Sequence, residues 1–200
     1  ARRISCQNNL HQLGIGLLRH EQAMGVLPAA GTETPAHHSW TVFVLPYLEQ
    51  QTLHAQYNLK VNWNDPKNAE AIRTEVPVFT CPSAPVAGQR LDTVGKSTAA
   101  PLDYPAATAV ADRLYKLGVL PPALNHAGAM IQGSTTGTAD IRDGLSNTIL
   151  LVEDAGRPEF WTRQGRLTIS NDPHNGNASV TAGRVAGAPW ADPKSDCPIH

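Results

Sequence analysis

Proline and glycine limit this chain more than any other feature, at sixteen residues each among 200. Proline removes a backbone donor and clashes with the preceding helical turn, and glycine carries an entropy cost inside a helix. A chain interrupted this often builds short elements and long ordered loops, not a helical bundle. One segment escapes. No proline occurs before Pro28, and there Cys6, Leu10, Leu13 and Leu17 recur at four-, three- and four-residue steps. That spacing predicts an amphipathic helix over residues 1–24, with Leu18 and Met24 widening its apolar stripe. Gly25 and then Pro28 supply its stop.

Downstream, Ser39 is placed to cap a second helix reaching Tyr57, with Val44, Leu45, Leu48 and Leu53 as its apolar face. Pro46 falls in its first turns. Asn64-Asp65-Pro66 opens a short third helix to about Thr74, with proline near its first position. Alternation over Val76–Cys81 predicts a strand, and further short strands are expected near Tyr104–Val110, Ala129–Gln132 and Arg166–Ser170. The apolar run within Asn147–Glu153 reads as the clearest strand, covered on both faces. Together these predict a single α+β domain, a long N-terminal helix packed on an antiparallel sheet. Its parts are the helix over 1–24, a helical and loop region over 25–75, and sheet with loops over 76–200. The helix is expected to bury Leu10, Leu13 and Leu17 against a sheet containing Ile149–Val152.

Composition narrows the function. Lys and Arg number 16 against 17 Asp and Glu, a net charge of −1. A nucleic-acid partner would require a clustered basic excess, so none is expected. No stretch approaches the ~20 apolar residues of a membrane span. Three cysteines, with no Cys-x-x-Cys pair, make no zinc site. They permit one disulfide plus a third thiol, or three thiols. In an oxidising compartment Cys6–Cys81 is the expected pair, because Cys197 lies in a polar tail.

The chemistry-bearing motifs are weak one by one. Ser146 follows a Gly-x step, but Thr148 stands where a nucleophile elbow needs glycine. The segment Asp143–Thr148 therefore reads as a turn held by its own side chains, with Asp143 or Asn147 bonding backbone amides. His37-His38 lacks a third ligand at metal spacing, and Asn171–Gly176 places Pro173 where a calcium loop needs an oxygen ligand. Asn177-Ala178-Ser179 is a glycosylation sequon in form only. Asp140, Asp143 and Glu153 remain candidates to collect around a cation, and no resident cofactor is expected. His126, near the Asp140/Asp143 turn, is the one histidine that a hydrolase would recruit, with Asp143 and Ser146. Asp143, Asn147 and Glu153 are the binding candidates.

Several segments together resemble one family. Ser5-Cys6-Gln7-Asn8-Asn9-Leu10-His11-Gln12-Leu13-Gly14, followed by Pro28 and Gly31, is similar to the helix after the membrane anchor in a prepilin-type family. That family is of unknown function, is expanded in planctomycete bacteria and often ends in an H-x9-DG motif. Trp40 with Leu45–Gln51, Val76–Ser83, Ile141–Leu150 with Glu153, and Trp190–Pro193 match its further signatures in order. The chain departs from the family in lacking the prepilin peptidase site, the hydrophobic half of the first helix and the closing motif. It therefore reads as a core trimmed at both ends. The resemblance implies a pilin-like or pseudopilin-like fold, exported to the periplasm or cell surface, and carries a solute-binding label. Its implied partners are like subunits through the first helix, an extracellular ligand, and the membrane only through the missing anchor. The expected function is a non-enzymatic surface subunit for assembly or ligand binding, with no specific hydrolase activity. A hydrolase around His126, Asp143 and Ser146, or a soluble solute-binding domain, are the alternatives.

Overall fold

In the computed structural model the apolar stripe of the first segment becomes α1, Arg2–Met24. The structure describes residues 2–84, 90–123, 125–157, 159, 161–162, 165–166, 180–181, 184–185 and 188–199. Cys6, Leu13, Gly16, Leu17 and His20 form the buried face of α1, while Leu10 is half-buried against the core. Leu18 and Met24 do not widen the stripe. They are 38% and 64% exposed, because they lie off the narrow face that the rest of the chain covers. The helix ends at Gly25, whose φ of 78° is open to glycine without steric cost and lets its N–H bond back to the Glu21 carbonyl at 2.7 Å.

The second predicted helix is three pieces. Ser39 caps α2, Trp40–Val44, by accepting from the Thr41 amide. Pro46 then tightens Leu45–Leu48 into a 3₁₀ turn that ends on left-handed Glu49, and α3 follows at Gln51–Gln56. Proline cannot donate to the preceding turn, so the α-helical ladder stops there. Asp65 caps a 3₁₀ turn, Pro66–Asn68, that runs into α4, Ala69–Arg73.

Among the described residues, the helix α1 packs against α2 and the 3₁₀ turns at Leu45–Leu48 and Pro77–Phe79, not against a sheet. Two expected strands explain why. The strand expected at Val76–Cys81 holds instead a 3₁₀ turn, Pro77–Phe79, since the fixed φ of proline suits a helical turn. Ile149–Val152 is not a strand, although it lies beside Asp103–Ala107 in antiparallel sense. Asp154 N donates to Asp103 O, Val152 N to Pro105 O, and Leu150 O accepts from Ala107 N. The return bonds are missing: Pro105 has no N–H, and the Asp103 amide goes to Phe79 O instead. One isolated bridge, Ala106 to Leu151, is what remains, and Ile149 is 57% exposed.

The described strands form two-stranded pairs. β1 (Gly31–Thr32) with β2 (His38–Ser39) and β3 (Asp92–Val94) with β4 (Ser97–Ala99) are antiparallel. β5 (Ala107–Val110) pairs parallel with the last strand, Cys197–Ile199. Cys197 is thus half-buried in a paired strand rather than in a polar tail. Ala129–Gln132 contributes isolated bridges through Ile131 and Gln132. Of the strand expected at Arg166–Ser170 only Gly165–Arg166 is described, and residues 171–179, with the Asn171–Gly176 loop and the sequon, lie outside the described residues.

Aromatic side chains join these small pieces. Trp190 is fully buried, its ring 5.9 Å from Phe79 and 6.1 Å from Tyr57, and its indole N–H donates to Thr74 O. Leu13 and Leu17 enter the same core from α1. Leu13 has no exposed surface, so Leu13→Ala is expected to lose about 3 kcal/mol in urea unfolding, by transfer and cavity costs together. A loss below ~1 kcal/mol would contradict this packing.

Candidate functional site

Two of the three candidate binding residues, Asp143 and Asn147, meet at a cleft beside β5. Gly128 makes its wall possible. The Gly128 amide donates to Thr108 O at 2.7 Å, and a Cβ there would lie 2.1 Å from Ala107 O, so only glycine lets this segment run so close to the strand. The Val110 amide donates to His126 O, which holds the start of the same wall. The opposite wall is the segment carrying Asp140–Asp143 and Asn147–Ile149.

That second wall is built from its own side chains. The Thr138–Asp140 turn closes with the Gly137 amide donating to Asp140 Oδ2, and Thr138 Oγ1 donates to Glu21 of α1. Next, Leu145–Asn147 forms a 3₁₀ turn. Asn147 Nδ2 donates to the Asp143 carbonyl at 2.8 Å, and Thr148 Oγ1 donates to the Gly144 carbonyl at 3.0 Å. The segment is therefore a side-chain-braced turn, but the expected bonding is reversed. Side chains donate to carbonyls, and the Asp143 carboxylate braces nothing. Asp143 is exposed, so the cost expected from stranding buried amides on its removal does not arise.

The cleft encloses about 500 Å³. Asp140, Asp143 and Asn147 line it with Asn125 and Arg142, together with apolar Val110, Ile141 and Ile199. Among the described residues, neither the Asp143 carboxylate nor the Arg142 guanidinium has a protein partner. The site thus combines both signs of charge with an apolar lining. Sequence reasoning did not find Asn125 or Arg142. The only local signal was that Arg142 adjoins Asp143.

The other candidates go elsewhere. His126 Nδ1 lies 2.7 Å from Asp112 Oδ1, and the ring stacks on Tyr115 at 3.9 Å between centroids. Its hydrogen bond with His126 holds the Asp112 carboxyl below the usual range. Ser146 sits exposed in the 3₁₀ turn, and neither it nor His126 is among the residues lining the cleft. The grouping of His126 with Asp143 and Ser146 is replaced by a His126–Asp112 pair, because α5 (Asp112–Lys116) reaches the imidazole first.

Glu153 does not join Asp140 and Asp143 around a cation. Its backbone follows the Asp103–Ala107 edge, which carries its carboxyl to the sulfurs of Cys6 and Cys81. Those cysteines form a disulfide with 5.3 Å between Cα atoms, joining α1 to the loop after Pro77–Phe79. Burial, and then the charge of Asp103, raise the Glu153 carboxyl above the ordinary range.

A polar centre under the disulfide had no signature in the sequence. Asp103 is fully buried and accepts four bonds: from the Cys81 amide, the Gly156 amide and both terminal nitrogens of Arg90. Arg90 also donates to Arg157 O, and Arg157 pairs with Asp154. Nearby, burial pushes the Tyr104 hydroxyl up to about 12, and that hydroxyl accepts from Asn9 of α1.

No curated protein and no solved structure matches the chain. A family does: residues 1–197 match SBP_bac_10, described as "Protein of unknown function (DUF1559)". The match takes in α1, the disulfide and every cleft residue but Ile199, and the chain belongs to this family.

Proposed function

We propose that this protein is an exported, pilin-like subunit that binds a small extracellular solute in the cleft edged by Asp140, Arg142 and Asp143. The observation that carries this is that, among the described residues, the Arg142 guanidinium and the Asp143 carboxylate in the cleft have no protein partner, and apolar side chains line the cleft beside them. Small-molecule sites combine an apolar lining with a few placed polar groups in this way. A Cys6–Cys81 disulfide suits an oxidising compartment outside the cytoplasm. The family's short name points to solute binding as well. Like subunits would assemble through α1, where Ile4 and Ile15 remain exposed at 62% and 37%. The role is recognition and packing, with no turnover.

A thermal-shift panel of free amino acids, short peptides and sugars tests it. A bound solute at a hundred times its Kd stabilises by about 2.7 kcal/mol, which is a rise of roughly 5–10 °C for a chain this long. Asp143→Ala is expected to abolish that rise while leaving the unliganded midpoint within about 1 °C, because the turn uses the Asp143 carbonyl and not its carboxylate. A full shift in Asp143→Ala and in Arg142→Ala, or no shift from any solute, would remove the cleft as the binding site.

A further inference from the structure

We infer that Glu153 is the acid–base group of a thiol–disulfide centre formed by Cys6 and Cys81, handling the proton of Cys81 as the bond opens and closes. The geometry is specific. Glu153 Oε1 lies 3.1 Å from Cys81 Sγ, the Ser83 amide donates to the same sulfur at 3.3 Å, and Cys6 Sγ is 3.6 Å from Ser83 Oγ. Backbone bonds on either side of Glu153, from Val152 to Pro105 and from Asp154 to Asp103, aim the carboxyl at that sulfur. A disulfide sulfur carries no proton. The contact is therefore favourable only when the carboxyl is protonated and donates to sulfur, or when Cys81 is a thiol and donates to the carboxylate. The same two atoms serve both redox states with one proton moved between them.

The groups around Glu153 support this role. Asp103 raises its proton affinity, although Arg90 neutralises much of that charge, and the Tyr104 hydroxyl also faces it and stays protonated. Both sulfurs are buried, with Cys6 4% and Cys81 2% exposed, whereas Glu153 is exposed and exchanges protons with water. A buried thiol must lose its proton before it attacks, and its own route to solvent is closed.

The step balances with a small disulfide, RSSR, as oxidant. The Cys6 thiol first loses its proton to water, and the thiolate attacks RSSR, giving a mixed disulfide at Cys6 and releasing one RS⁻, which takes up a proton from water. The Cys81 thiol then passes its proton to the Glu153 carboxylate as Cys81 sulfur attacks Cys6 sulfur. The Cys6–Cys81 bond forms, the second RS⁻ leaves, and Glu153 returns its proton to solvent. Two protein thiols are oxidised and RSSR is reduced to two thiols. In the reverse direction protonated Glu153 supplies the proton to departing Cys81, which makes it the better leaving group.

The experiment follows closure in the full chain carrying Cys197→Ser, reduced and then exposed to hydroxyethyl disulfide, with alkylation and mass spectrometry at timed points from pH 5.5 to 9. With Glu153 present, conversion of the mixed disulfide at Cys6 into the Cys6–Cys81 bond, timed by loss of the mixed-disulfide mass, is expected to vary little with pH across the neutral range. Glu153→Gln is expected to slow it about a hundredfold near pH 6, with the gap vanishing above the ordinary thiol value of about 8.5. Added acetate is expected to restore part of the rate in Glu153→Ala, since the vacated position opens to water. Circular dichroism of α1 confirms that the variants are folded, and Glu153→Ala alone serves if the amide variant is not. Equal rates and equal pH profiles for wild type and a folded Glu153 variant, with no acetate rescue, would overturn the assignment.

Discussion

Replacing Asp103 with alanine is expected to destabilise the protein by about 3–5 kcal/mol, the cost of stranding a buried cation. Asp103 has no exposed surface and Arg90 is 7% exposed, so neither charge falls back on water when the other is removed. The loss extends beyond the ion pair. The Cys81 and Gly156 amides both end on this carboxylate, and each is left buried without an acceptor. Among the described residues, the Arg90 guanidinium then keeps only its bond to the Arg157 carbonyl. Asp103→Asn retains an oxygen for one amide yet still leaves the cation uncompensated, so it is expected to fall between wild type and alanine. Asp154→Ala is expected to cost less than Asp103→Ala, because the Asp154 side chain is 41% exposed and buried Arg157 keeps the charge of Asp192 nearby. Urea midpoints for the three variants give the ranking. An Asp103→Ala protein within about 1 kcal/mol of wild type would show that the buried pair contributes nothing net.

Removing the disulfide through Cys6→Ala with Cys81→Ala is expected to cost about 4 kcal/mol. The bond closes a separation of 75 residues, and the loop entropy it removes from the unfolded chain grows with the logarithm of that length. Its position adds a second consequence. α1 joins the core through Leu13 and Leu17, while Cys6 tethers the half of the helix nearer its start, where Arg2, Arg3 and Ile4 are exposed. Without the bond, that half is held mainly by Asn9, which donates to the Thr80 carbonyl at 2.9 Å. Hydrogen exchange in the double variant is therefore expected to rise first over residues 2–9, before Leu13 and Leu17 lose protection. Guanidinium unfolding, with and without reductant on the wild type, measures the energy. A midpoint unmoved by both the substitutions and the reductant would show that the tether stabilises nothing.

Much of the first half of the chain was legible from residues a few positions apart. A 3.6-residue repeat of Cys6, Leu13 and Leu17 defines α1 and its buried side, and Gly25 ends it. Ser39 and Asp65 act as caps within two residues of themselves. Each of these signals is local, so the backbone satisfies it wherever the rest of the chain lies. The apolar run at Ile149–Val152 differs. Whether it becomes a strand depends on the donors its neighbour offers, and Pro105, some 45 positions earlier, offers none.

The two polar centres depend on such distant pairings throughout. Asp103 meets Arg90, Cys81 and Gly156, and Glu153 meets Cys81, only because the Asp103–Ala107 edge lies between the loop after Phe79 and the segment before Gly156. The cleft repeats the pattern: Asp140 and Asp143 share a turn visible in the sequence, but Val110, Asn125 and Ile199 reach it from β5, its neighbouring wall and the last strand. A helix or a cap is a contest between a residue and its immediate backbone, and composition and spacing settle it. A buried carboxylate is stable only beside donors that arrive from elsewhere, and no periodicity in the chain encodes which ones those are.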